Sequence, residues 1–250
     1  MADNFGNQTF SRGTTRTVDQ ATYDVGLRKH MLSVYNYMAS GLALSGIVAL
    51  VIFMSPAVAS LFYAPTLTGG ITFTILGWIA ILAPVLMSFG IGAVMRGSTT
   101  SAQVFYWVFV TLMGISLSTI LFRYSGASVA RVFFITAASF AGLSIYGYTT
   151  KRDLSGFGKF LFMGLIGIII ASVVNIFVGS SSMMFVISIL GVLIFAGLIA
   201  FDTQAIKEQY NAAYDEGTRS KLAVFGALLL YLNFINLFQF LLMLFGNNRN

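Results

Sequence analysis

Two stretches of this sequence place polar side chains where apolar ones dominate. The first is Phe201-Asp202-Thr203-Gln204, which closes a long apolar run. The second is the run from Gly226 to Gly246, in which Asn233, Asn236 and Gln239 recur every three residues. Of the eight acidic residues, Asp202 alone touches an apolar run, and the other seven fall in a polar tail or in connections. A charge at mid-membrane costs roughly 2.5–3.5 kcal/mol on insertion scales, and less toward the interface. Asp202 therefore reads in two ways, as a helix-end carboxylate facing water or as an inward titratable group on an ion path. The uncharged Thr203 and Gln204, with the next basic residue only at Lys207, favour the inward reading. On a helix, Asn233, Asn236 and Gln239 form one stripe. Amides facing lipid go unsatisfied, so the stripe should face the bundle interior. There it either bonds between helices or lines a wet path, and the two are compatible.

Other chemistry is scarce. His30 is the only histidine and there is no cysteine. A zinc site needs several His, Cys or carboxylate ligands, so a metalloprotease is excluded. No histidine lies inside a span to activate a serine, and no second aspartate is available for an aspartyl protease. Glycine-rich phosphate loops are also missing. The sequence predicts no enzyme and no cofactor.

The elements that must position Asp202 and the amides are membrane helices. Hydrophobic residues make up 57% of the 250 and charged residues 9%, against about 25% charged in a soluble domain. A helix crosses the hydrocarbon core with about 20 apolar residues. Seven runs qualify: Met31–Met54, Ile71–Met95, Ala102–Phe122, Val132–Thr149, Phe160–Val178, Met183–Phe201 and Leu222–Phe245. They do not alternate as barrel strands would, and backbone groups in hydrocarbon must pair internally, so the runs are helices. The fold class is an all-α membrane protein. Three parts are expected: a polar tail over 1–30, disordered and cytoplasmic; a seven-helix domain over 31–246; and a short tail over 247–250. Pro84 falls inside the second run, as a kink absorbed by neighbouring helices or as a hinge.

The net charge is +6, but the basic residues sit in short connections and not on one face, which argues against nucleic acid. With the N-terminus in the cytoplasm, the inner segments carry Arg12, Arg16, Arg28, Lys29, Arg96, Lys151, Arg152, Lys159, Lys207, Arg219 and Lys221. The outer ones carry only Arg123, Arg131 and Arg249. That bias is the positive-inside pattern. Seven crossings place the C-terminus outside, and a re-entrant last run would return it to the cytoplasm.

Gly197-Leu198-Ile199-Ala200-Phe201-Asp202-Thr203-Gln204 and the closing run from Tyr231-Leu232-Asn233-Phe234-Ile235-Asn236-Leu237-Phe238 to Gly246 resemble the signature of the transmembrane Bax-inhibitor-motif family, in its bacterial branch. The resemblance implies a seven-helix bundle with the last helix central, in the plasma (inner) membrane. It implies a pH-sensitive passive calcium leak in which two aspartates share a proton and gate the path. Asp202 matches one of them. Asn233 stands where the other falls, a departure from the pattern. Arg96, at the inner end of the second run, is the candidate for a basic partner. An Asp–Asn pair has one proton to lose where a dyad titrates in coupled steps. Calcium wants six to eight oxygens, so Asp202 would hold it only weakly and transiently. The implied partners are the lipid bilayer and calcium ions, or, for a non-conducting regulator, another membrane protein such as a quality-control protease.

Overall fold

A computed structural model of the chain describes residues 11–66 and 71–249. The order is α1 (Ser11–Met54), α2 (Pro56–Phe62), β1 (Tyr63–Pro65), β2 (Ile71–Phe73), α3 (Ile75–Arg96), α4 (Thr99–Arg123), α5 (Gly126–Thr149), α6 (Ser155–Val178), α7 (Ser181–Glu208) and α8 (Glu216–Phe245). Seven of these helices are long and apolar enough to cross a membrane, each overlapping one of the seven runs. The protein is a multi-pass, all-α membrane bundle.

Most helices begin earlier than their apolar runs because polar residues cap them. Thr74, Ser98, Ser125, Ser180 and Asp215 each accept a hydrogen bond from the backbone amide three residues on. Each cap satisfies one of the orphan donors that every helix start leaves. Gly179 ends α6 in the left-handed conformation, φ 67°, and lets the chain turn straight into α7. β1 and β2 form a small antiparallel hairpin beside α2.

Pro84 has no amide to offer the carbonyl of Ala80 one turn earlier. Ser116 Oγ of α4 shares its one proton between that carbonyl, at 3.4 Å, and the Leu112 carbonyl of its own helix, at 3.3 Å. A neighbouring helix thus compensates part of the helix break.

α8 is the axis of the bundle. It packs on α1, α4, α5 and α7, and its buried face runs from Ala223 to Leu242. α6 packs mainly on α7 and α3 mainly on α4. These two outer helices turn large apolar side chains outward, among them Phe89 and Phe177 at 84% and 85% exposure. Such surface is stable only against lipid tails.

One expectation needs correction. The polar segment taken as a disordered tail over 1–30 is helical from Ser11 onward, as one helix with the first span. Leu27, His30 and Met31 are buried where it meets the bundle, so the span's packing carries the helix outward. Residues 1–10 lie outside the described residues. The expectation of seven crossings stands, because the last run is not re-entrant. α8 is about 45 Å long and ends beside the α4–α5 turn. There the amide of Ser125 donates to the carbonyl of Asn247, and the amide of Arg249 to that of Arg123. The described chain therefore starts and ends at opposite ends of the bundle.

Candidate functional site

The four residues Phe201 to Gln204 each meet a different neighbour, because successive residues turn by about 100° on a helix. The Phe201 ring fills the space left by the missing side chain of Gly158 on α6. Asp202 faces α8. Thr203 faces α5. Gln204 holds the α5–α6 connection at both ends of its amide, accepting from the Leu154 amide at 2.8 Å and donating to the Arg152 carbonyl at 2.8 Å. One polar turn of α7 thereby locks three adjacent elements.

The contact between Asp202 and α8 is one hydrogen bond. Asn233 Nδ2 donates to Asp202 Oδ2 at 2.6 Å. Asn233 is buried and Asp202 half-buried. The bond is short, and an amide N–H can donate to a carboxyl oxygen in either protonation state. It forms because α7 and α8 run antiparallel in a tight register. Gly226 seats Ile206 on one side of the pair, and the Phe195 and Phe240 rings stack at 5.8 Å on the other.

A chain of hydroxyls runs beside the pair. Thr203 Oγ1 donates to the Ile199 carbonyl at 2.7 Å. Having spent its proton, it accepts from Ser144 Oγ at 3.1 Å. Ser144 Oγ in turn accepts from Tyr35 OH at 2.7 Å. This directed relay links α1, α5 and α7 in the layer of Asp202. Gly147, one turn from Ser144, lets α5 lie directly on the Ala200 carbonyl. Lys207 caps the layer by donating to the Tyr148 carbonyl at 2.8 Å.

A second polar knot lies on the other side of α8. Ser45 Oγ is within 2.9 Å of the Gly41 carbonyl, 2.7 Å of the Val110 carbonyl and 2.7 Å of Tyr231 OH. The serine has one proton for the carbonyls, so Tyr231 donates to Ser45. Both side chains are almost fully buried.

The other residues singled out from the sequence do not join Asp202. Asn236 donates back to the Leu232 carbonyl of its own helix at 2.8 Å. Gln239 lines a cavity of about 380 Å³ with Ser116, Thr119 and Arg123, toward the opposite end of the bundle. Arg96 is exposed at the end of α3, which packs on α4 and not on α7. Among the described residues no group of three His, Cys, Asp or Glu could hold a metal ion. A cation at Asp202 would therefore find no cluster of three such side chains.

Composition and spacing assign no role to Tyr35, Ser144, Ser45 or Tyr231. Single hydroxyls in apolar helices carry no spacing signal. Their only mark is that a hydroxyl in hydrocarbon needs a partner.

Residues 27–250 match the family described as inhibitor of apoptosis-promoting Bax1. The chain is 49% identical to an uncharacterized protein of Caulobacter vibrioides, over 96% of this chain and 98% of the relative. It is 42% identical to an uncharacterized protein of Rickettsia prowazekii, covering 96% of this chain and 99% of that one. It is 43% identical to the inner membrane protein YbhL of Escherichia coli K12, over 90% and 94% of the two chains.

Proposed function

The chain belongs to the family of inhibitors of apoptosis-promoting Bax1, and from that membership we propose that it is a pH-sensitive passive leak for cations, calcium first, gated by Asp202. The membrane is the inner (plasma) membrane, as the name of the Escherichia coli relative suggests. The N-terminus is cytoplasmic, on the strength of the basic residues gathered at that end of the bundle. Asp202 then sits a short way in from the cytoplasmic ends of the helices.

The observation that carries this reading is the hydrogen bond from Asn233 to Asp202 at 2.6 Å. It joins a titratable group to the central helix. Bonds to an ionised acceptor are roughly twice as strong as neutral ones. While the carboxyl is ionised, the bond holds α7 on α8 and the path is shut. Protonation weakens that hold and lets the helices part, so the leak grows as pH falls. The pair has a single proton to exchange, so the response follows one titration step.

Calcium entry into liposomes holding the purified protein, followed over a pH series, tests the proposal. Asp202→Asn keeps the shape and removes the charge, so its leak should be raised and flat with pH. An unchanged pH profile in that variant would remove Asp202 from the gate.

The close packing above the pair favours a second reading. Ile199 and Tyr231 are fully buried there and Leu237 nearly so, a shut core well suited to a non-conducting regulator. In that reading the protein binds another membrane protein, such as a quality-control protease, through its N-terminal segment. Removing residues 1–20 separates the two: a regulator loses its partner in co-purification, while a leak keeps its flux.

A further inference from the structure

At the end of the bundle where α8 begins, a cleft of about 240 Å³ opens between α1, α8 and the connection before α8. Its liners with chemistry are Lys29, His30 and Ser33 from α1, and Glu216, Arg219 and Ser220 from α8. Neither the proposed gate nor the hydroxyl relay uses any of them.

His30 is the anomaly. It is 6% exposed, and its Nε2 has no hydrogen-bond partner. A buried polar atom left without a partner is costly, and native structures seldom tolerate one. The ring cannot simply turn away, because Tyr210 lies against it with centroids 5.6 Å apart. Tyr210 is itself fixed: Gly26 lacks the Cβ that its hydroxyl would strike, and Tyr23 OH donates to its carbonyl at 3.5 Å. The imidazole is thus held in place, its Nε2 closed to solvent, beside a cleft whose lining includes Lys29, Arg219, Ser33 and Ser220.

We propose that this cleft binds a phosphate-bearing anion, with Lys29 and Arg219 as its principal contacts and the His30 ring beside them. Arginine and lysine are the usual phosphate partners, and serine hydroxyls complete such sites. The volume lies below the roughly 300–1,000 Å³ of drug-sized pockets and suits a single headgroup. Two sources share this chemistry. One is an anionic phospholipid headgroup, which is abundant at the cytoplasmic leaflet. The other is free phosphate. Glu216 is the one acidic liner among the six and opposes the anion, which limits affinity and makes its removal informative. An occupant would tie α1 to α8 across the open end of the bundle.

The single histidine makes the test direct. Full-length protein without a histidine tag, ¹³C-labelled at histidine and placed in zwitterionic nanodiscs, gives one Cε1–Hε1 resonance. That resonance is followed on adding inorganic phosphate in one arm and phosphatidylglycerol in the other. A saturable shift in either arm supports the site, and the arm that responds identifies the source. Arg219→Gln should raise the concentration needed about tenfold, and Glu216→Gln should lower it. Arg28→Gln, on α1 but outside the cleft, should leave it unchanged. A resonance that ignores both anions in the wild-type protein overturns the proposal. So does an equal response in the wild type and in Arg219→Gln.

Discussion

Tyr231 and Asn233 stand two residues apart on α8, and that spacing turns them to opposite sides of the central helix. Tyr231 closes a knot with Ser45 between α1, α4 and α8. Asn233 reaches Asp202 on α7. The first knot is neutral, buried and fully satisfied. The second holds a group that can carry charge and remains half-open. The difference separates the roles of polar groups in a membrane bundle: one fixes helix position, and the other can change state. Hydroxyl knots of the first kind contribute modestly, about 0.6 kcal/mol per interhelical bond on average and up to about 1.7.

The sharpest way to break the comparison is to damage the frame on the Asp202 side alone. Gly147→Ala drives a methyl into the Ala200 carbonyl, where backbone meets backbone. It should cost about 3 kcal/mol or more, read as a lowered melting temperature in detergent. Ser45→Ala leaves the buried Tyr231 hydroxyl without its acceptor. That should cost about 1–2 kcal/mol while the pH profile of the leak stays as in the wild type. If Ser45→Ala instead flattens that profile, the two knots are not separate in function.

Asn233→Asp acts on charge more than on stability. Two carboxyls so close cannot both ionise freely, so the leak should respond in two coupled steps and over a wider pH range. A one-step profile in that variant would show that the two side chains part in the conducting state. The smallest effect is expected at Asp215, the N-cap of α8. Its carboxylate accepts from the Thr218 amide at 2.9 Å and the Thr218 hydroxyl at 2.6 Å. These bonds hold its pKa below the ordinary value. A depressed pKa means the stabilisation is present above the unfolded-state pKa and lost as pH falls through the folded one. Asp215→Ala should therefore melt slightly lower than wild type at neutral pH, with the gap closing in acid.

The sequence made the seven crossings legible because apolar length is decisive in lipid. It missed where the helices begin. The polar turn Thr99–Ser101 is helical here, held by a cap and packing that hydropathy does not register. Asp202 and Asn233 were legible as neighbours because α7 and α8 follow one another and pair antiparallel. Asn236 was misleading. Threefold spacing puts it on the stripe, but an asparagine can bond its own helix backbone and need no partner across the interface. Arg96 could not be placed from sequence, since nothing local says that α3 packs on α4 instead of α7. His30 was legible as unique but not as buried, because its burial depends on Tyr210, 180 positions away.

The central claim is that one carboxyl bonded to one amide between α7 and α8 sets the pH response. The double variant Asp202→Asn with Asn233→Asp tests it most directly, because it exchanges the two groups and preserves the pair. Calcium flux into liposomes over a pH series should return to a single-step profile like that of the wild type, in contrast to the flat profile of Asp202→Asn alone. A double variant as flat as Asp202→Asn would contradict the account.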